Sequence, residues 1–163
     1  MSSKSRVLNI GVIGLGMGRG HLSDYHAYHR SNVVAICDKD PSRLAEQAKK
    51  YDLPEDACFT DHRKMLAAAE ALDLEAVSVA LPNTLHAPVT NDAFKACLHV
   101  LCEKPMAMNA RQARSMLEAS KKARRTLMIN FSFRFNDQSR ALKRAVRAIR
   151  DDQRPLPAVL ATT

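Results

Sequence analysis

No stretch of the 163-residue chain approaches the ~18 consecutive apolar residues of a membrane-crossing helix, which excludes such a span. The opening residues, MSSKSRVLNI, lack the long apolar core of a secretory leader, so no leader is expected. The four cysteines, Cys37, Cys58, Cys97 and Cys102, form no CxxC pair and lie inside apolar runs. That pattern argues against a disulfide framework or a zinc site and for buried thiols in a reducing, cytoplasmic setting. Internal repeats, linkers and low-complexity segments are also missing. Acidic residues are the scarcer charge, with 17 Asp+Glu against 25 Lys+Arg and a net charge of +8. What remains is ordinary for a folded domain: 46% hydrophobic and 26% charged residues. The length suits one domain and the beginning of a second.

Apolar β-branched runs alternate with helical patterns along the chain. Val7–Ile13 reads as a buried strand that runs into glycines, followed by a helix to about His29. Val33–Asp38 is the second strand. Asp40-Pro41 supplies a cap and a first-turn proline for the next helix. Cys58–Thr60 is a short strand, and Asp61 caps a helix that places Met65, Leu66, Ala69 and Leu72 on one face. Ala76–Leu81 is a fourth strand, followed by the turn Pro82-Asn83-Thr84 and a helix to Cys97, and His99–Glu103 is a fifth. Asn109 caps a helix to about Arg124, Leu127–Phe135 reads as a sixth strand, and 137–150 as an amphipathic helix. Ala158–Thr163 is the start of a further strand. Strands apolar on both faces, alternating with helices, predict an α/β fold with a doubly wound parallel sheet. Ligands bind such a sheet at the carboxyl ends of its strands.

The first strand leads into Gly14-Leu-Gly16-Met17-Gly18-Arg-Gly20. Glycines let the chain turn tightly and let backbone approach a pyrophosphate at a helix N-terminus. The third fingerprint glycine is due at position 19, where Arg19 stands. Asp38 ends the second strand 24 positions after Gly14, close to the ~20 expected of a carboxylate that holds a ribose diol. An anionic Asp38 accepts hydrogen bonds from a free diol and repels a 2′-phosphate, which favours NAD. Lys39 and Arg43 nearby soften that preference and keep NADP open.

Later strand ends carry Leu81-Pro82-Asn83-Thr84-Leu85-His86, Cys102-Glu103-Lys104-Pro105 and Asn130-Phe131-Ser132-Phe133-Arg134. Together with the glycine turn and Ile36-Cys37-Asp38, these resemble the N-terminal half of the Gfo/Idh/MocA family of oxidoreductases. That family includes glucose–fructose oxidoreductase and inositol dehydrogenase. The resemblance implies a Rossmann domain over 1–135, then at 136–163 a connecting helix and the start of a sheet domain. It implies nicotinamide-dependent hydride transfer on a sugar, cyclitol or related polyol, with homo-oligomers forming through the sheet domain of a full-length form.

In the family's pattern, Gly14, Gly16 and Gly18, with Met17 among them, hold the pyrophosphate, and Asp38, with Lys39 beside it, the adenosine ribose. Pro82, Asn83 and His86 line the nicotinamide side, and Glu103 lies near the nicotinamide ribose. Lys104 is the catalytic lysine beside the nicotinamide and the reacting carbon, and Arg134 borders the cleft. Read without the resemblance, Lys104 is a surface partner for Glu103, and His86 is a capping or packing histidine.

Two departures stand out: Cys97-Leu98 replaces the family's usual glycine before the fifth strand, and Arg154-Pro155-Leu156-Pro157 replaces a glycine-bearing turn. The family's acid/base histidine and aspartate would lie beyond position 163. Cofactor binding with negligible turnover is therefore expected of this chain, because substrate orientation accounts for ~7–11 kcal/mol of barrier lowering.

Competing readings are a dinucleotide-binding module without chemistry and a nucleic-acid binder. The latter would use the cations of 111–125 and 140–150, but those helices lack an accompanying set of stacking aromatics. His21, His26 and His29 read as surface and packing histidines, because only Asp24 is near enough to join a metal set. Met106 and Met108 read as core filler.

Overall fold

The computed structural model describes residues 6–151, so the expected strand at 158–163 and the Arg154–Pro157 turn lie outside the described residues. Six strands form one sheet: β1 (Leu8–Ile13), β2 (Ser31–Cys37), β3 (Cys58–Phe59), β4 (Ala76–Val79), β5 (His99–Glu103) and β6 (Leu127–Asn130). Neighbours are parallel throughout, in the order β3-β2-β1-β4-β5-β6. This is the doubly wound Rossmann arrangement that the sequence predicts. Its winding reverses between β1 and β4, which opens a crevice at their carboxyl ends.

The helices between the strands begin where local chemistry sets them. In α2 (Pro41–Tyr51) the Asp40 side chain accepts from the Ser42 N–H, and Pro41 occupies the first turn. In α3 (His62–Ala67) Asp61 accepts from the Arg63 N–H, and in α5 (Ala110–Ala123) Asn109 accepts from the Gln112 N–H. By contrast α1 (Gly18–Ala27) and α4 (Asn83–Lys95) start without a side-chain cap. Both of these open N-termini follow the strands that flank the crevice.

Each face of the sheet carries its own core. Val12, Leu15, Leu22, Ile36 and Leu44 pack on the α1–α2 side. Ile13, Met65, Val77, Val79, Phe94, Val100 and Met116 pack on the α3–α4–α5 side. Full burial of one such aliphatic side chain contributes about 1.5–3 kcal/mol.

Three local expectations change. β6 stops at Asn130 rather than running to Phe135, because its last rung pairs Glu103 with Asn130 and β5 ends there at Lys104-Pro105. A strand cannot extend without a partner, and proline offers no N–H to one. The α3 helix ends at Ala67, although Met65, Leu66 and Ala69 are buried as the pattern requires. Met106 packs on the core, whereas Met108 is exposed.

All five glycines lie between positions 11 and 20. The left-handed residues at or just after the ends of α2, α4 and α5 are instead Asp52, Cys97 and Arg124, with φ of 52°, 57° and 52°. Cys97 is exposed. Cys97→Gly is expected to raise stability by about 0.5–1 kcal/mol by relieving that strain. A urea-unfolding midpoint that stays put or falls would contradict this.

The chain divides into two compact units between Asn130 and Phe131. The described part of the second holds a 3₁₀ turn (Ser132–Phe135) and α6 (Asp137–Asp151), whose start is capped by Asn136 accepting from the Ser139 N–H. Among the described residues no helix is long and apolar enough to cross a membrane.

Candidate functional site

At the carboxyl ends of β1, β2 and β4 the chain encloses a cleft of about 750 Å³. It is lined by Gly14, Gly16 and Met17 of the first turn, by Asp38, Lys39 and Arg43, and by Leu81, Pro82 and Asn83. The size suits an elongated organic ligand.

Gly14 adopts φ +93°, and a Cβ there would stand 2.4 Å from the Ala80 carbonyl oxygen. Conformation and space both demand glycine at that position. Gly16 differs: a Cβ there would meet only an Arg43 nitrogen at 3.8 Å. Its missing side chain keeps the cleft floor open. Gly18 serves a third purpose. A Cβ would press on Val12 at 2.9 Å and Ala80 at 3.3 Å, so this glycine lets α1 sit close against the sheet.

Asp38, 7% exposed, closes the turn from below. Its Oδ2 accepts the Leu15 N–H at 2.6 Å and its Oδ1 the Asp40 N–H at 2.9 Å. Arg43 lies 3.8 Å from the same carboxylate. The acid thus organises the glycine turn as well as facing the cleft. Open space above Gly16, the uncapped start of α1 and a carboxylate at the rim together fit a dinucleotide, with its pyrophosphate on the helix N-terminus and its ribose at Asp38.

A second polar group gathers at the end of β5. Glu103 Oε1 accepts from His21 Nε2 at 2.8 Å and from Asn130 Nδ2 at 2.8 Å, while Oε2 accepts the Lys104 N–H at 3.1 Å. Burial pushes the Glu103 carboxyl up, but these hydrogen bonds and the attraction of His21 outweigh it and hold its pKa below the ordinary value. A depressed carboxyl stabilises the fold above its unfolded pKa and loses that contribution as pH falls through the folded value. The stability advantage of the native chain over Glu103→Gln is therefore expected to shrink as pH drops below 4.5, the unshifted value. Chemical denaturation at stepped pH checks this; a constant difference from pH 7 to pH 3 would contradict it.

Among the described residues no ion pair holds the Lys104 side chain, which is exposed; the Glu103 ion-pair partner is His21. His86 is 1% exposed, so it does not face the cleft. Its ring nitrogens lie 2.6 Å from the Pro105 carbonyl and 2.9 Å from the Leu81 carbonyl, tying the β4–α4 turn to the Lys104-Pro105 segment.

Of the residues singled out by the sequence, the cleft brings together Gly14, Gly16, Met17, Asp38, Lys39, Pro82 and Asn83. Glu103 and Lys104 stand at the end of β5, Gly18 is the first residue of α1, and Arg134 falls in the second unit, exposed on the 3₁₀ turn. Sequence reasoning passed over Thr60, Asp61, His62 and Arg63, which also line the cleft. The signal for them was their position just after β3, at the same edge of the sheet. His21 packs edge-on against Tyr25 with its ring 12% exposed, and is in addition hydrogen-bonded at both nitrogens. His26 and His29 also pack, against Tyr51 and Tyr28. Among the described residues no cluster of His, Cys, Asp or Glu is arranged to hold a metal ion.

The sheet order, the glycine turn and the acid at the end of β2 define a dinucleotide-binding Rossmann domain. The chain belongs to the Gfo/Idh/MocA oxidoreductase family with an NAD-binding Rossmann fold, whose family model matches residues 8–131. It is 33% identical over 144 residues to D-glucoside 3-dehydrogenase of Escherichia coli, covering 87% of this chain and 40% of that protein. It is 32% identical to Myo-inositol 2-dehydrogenase of Thermotoga maritima, covering 85% of this chain and 40% of the relative. The aldose-aldose oxidoreductase of Caulobacter crescentus, solved with glycerol, superposes with a TM-score of 0.81 at 31% identity, covering 88% of this chain and 43% of that one. The chain thus spans about two-fifths of the length of the relatives it matches.

Proposed function

We propose that the protein to which this chain belongs transfers hydride between NAD(H) and a secondary alcohol or carbonyl of a sugar, cyclitol or related polyol. The observation that carries the reading is the cleft at the β1/β4 reversal with Lys104, exposed and in no ion pair among the described residues, two strands along from β1 at the end of β5. Bound nicotinamide supplies the hydride acceptor or donor; the protein supplies position and proton handling.

Gly14, Gly16 and Met17 seat the pyrophosphate, and Asp38 takes the adenosine ribose. Pro82 and Asn83 wall the passage toward β5. Glu103, fixed by His21 and Asn130, meets the second ribose. Lys104 stabilises the developing alkoxide or relays the hydroxyl proton. His86 serves as a positioning residue that holds the Lys104-Pro105 segment against the β4–α4 turn. Two identified relatives act, by name, on a glucoside and on an inositol, which supports the polyol class. The 163-residue chain by itself is expected to bind the cofactor and turn over little.

The test is an NADH titration of this chain followed by assay with NAD and a panel of sugars and inositols. Binding without turnover, with turnover appearing when the sequence is extended to the length of its relatives, supports the reading. Absence of NADH binding, or an extended protein inert on every polyol, defeats it.

A further inference from the structure

Four side chains far apart in sequence, His21, Ser78, Glu103 and Asn130, meet at the carboxyl ends of β4 and β5. His21, in the first turns of α1, directs Nε2 at Glu103 Oε1 from 2.8 Å and Nδ1 at the Ser78 hydroxyl from 2.5 Å. A carboxylate only accepts, so Nε2 carries the proton and donates to Glu103; Nδ1 then accepts from the Ser78 hydroxyl. Ser78 is 0% exposed, the polar residue of the apolar run AVSV. Asn130 closes the group with a second donor to Glu103 Oε1.

A side-chain network of this kind, with Ser78 buried and His21, Glu103 and Asn130 partly buried, favours one arrangement of its members. Here the arrangement favoured is the rotamer of Glu103. Oε1 is committed to two donors, whereas Oε2 has a single backbone donor from Lys104 and retains acceptor capacity.

We propose that His21 is a positioning residue for cofactor recognition. Anchored by Ser78, it fixes Glu103 so that Oε2 accepts from the ribose diol on the nicotinamide side of the dinucleotide. This rests on the cofactor reading above and adds to it a residue outside the cleft lining. It also separates two roles for the start of α1. The helix N-terminus serves the pyrophosphate, and His21, one turn on, serves the second ribose through Glu103.

Three ligands divide the possibilities: ADP, which lacks the second ribose; ADP-ribose, which adds it; and NADH. Each is titrated by calorimetry against the full 163-residue chain, its His21→Ala, His21→Gln and Ser78→Ala variants, and Glu103→Gln. His21→Ala is expected to weaken ADP-ribose and NADH about tenfold while ADP changes less than twofold, the tenfold loss corresponding to about 1.4 kcal/mol. His21→Gln, whose amide still donates to Glu103, is expected to recover most of that loss. Ser78→Ala, a small change inside the strand, is expected to give the same selective pattern at about threefold, so the test survives if His21→Ala fails to fold.

Equal losses for ADP and ADP-ribose would mean that His21 acts only by shaping the glycine turn, and would overturn the proposal while leaving the cofactor reading intact. Unchanged affinities in all variants would overturn it too. A wild-type chain that binds none of the three ligands removes the cofactor reading and the proposal together.

Discussion

Gly14→Ala is expected to cost about 2–4 kcal/mol of folding stability and to abolish measurable NADH binding, whereas Gly16→Ala leaves the fold intact and loses binding alone. The difference follows from what a methyl group meets. At Gly14 the backbone sits at φ +93° and the added carbon lies 2.4 Å from the Ala80 carbonyl oxygen, so neither the turn nor β4 can stay in place. At Gly16 the added carbon has no contact closer than an Arg43 nitrogen at 3.8 Å, and that side chain is half exposed and able to move. The methyl would then occupy space over which a pyrophosphate must lie. Urea unfolding and NADH titration on both variants separate the two effects. If Gly16→Ala unfolds as readily as Gly14→Ala, or if it binds NADH as the native chain does, the assignment of these two glycines is wrong.

Asp38→Asn is nearly isosteric and is expected to be the second most damaging single change. The native carboxylate accepts from the buried Leu15 N–H at 2.6 Å and from the part-buried Asp40 N–H at 2.9 Å. An amide has one accepting atom, so it must turn its own N–H₂ toward one of those donors and leave it unsatisfied. The cost of one such buried donor is about 1–3 kcal/mol of stability. Removal of the charge has a second consequence. Lys39 and Arg43 then face the cleft without an opposing anion at its floor, so a 2′-phosphate is repelled less. The native chain is expected to bind NADH more tightly than NADPH, and Asp38→Asn to narrow that ratio about tenfold, mainly by losing NADH affinity. Parallel titrations with the two reduced cofactors check this. A native preference for NADPH, or a ratio unaffected by the substitution, would contradict it.

Much of this protein was legible in its sequence because the relevant signals are local. Asp40-Pro41, Asp61 and Asn109 start helices through bonds to residues two or three positions on. The apolar runs of β1, β2, β4 and β5 mark strands buried in a parallel sheet, and five glycines crowded between 11 and 20 mark a turn that carries no side chains where backbone must come close to something. From these alone come the element order, the doubly wound fold and the pairing of the glycine turn with Asp38.

The remainder depended on sheet register, which brings together residues that no window of sequence contains. Which glycine has no room for a side chain, which keeps space open and which admits a helix were decided by tertiary neighbours: Ala80 beyond β4 at Gly14, only a distant Arg43 nitrogen at Gly16, and Val12 with Ala80 at Gly18. His21 meets Ser78 57 positions away and Glu103 82 positions away only because α1 lies over β4 and β5 ends beside it. His86, which in sequence reads either as lining the nicotinamide side or as a packing histidine, is buried with the carbonyl groups of Leu81 and Pro105 converging on its ring in the folded chain. Hydrogen bonds inside one turn of backbone are determined by adjacent residues; those between strand ends exist only once the sheet has set which ends are neighbours.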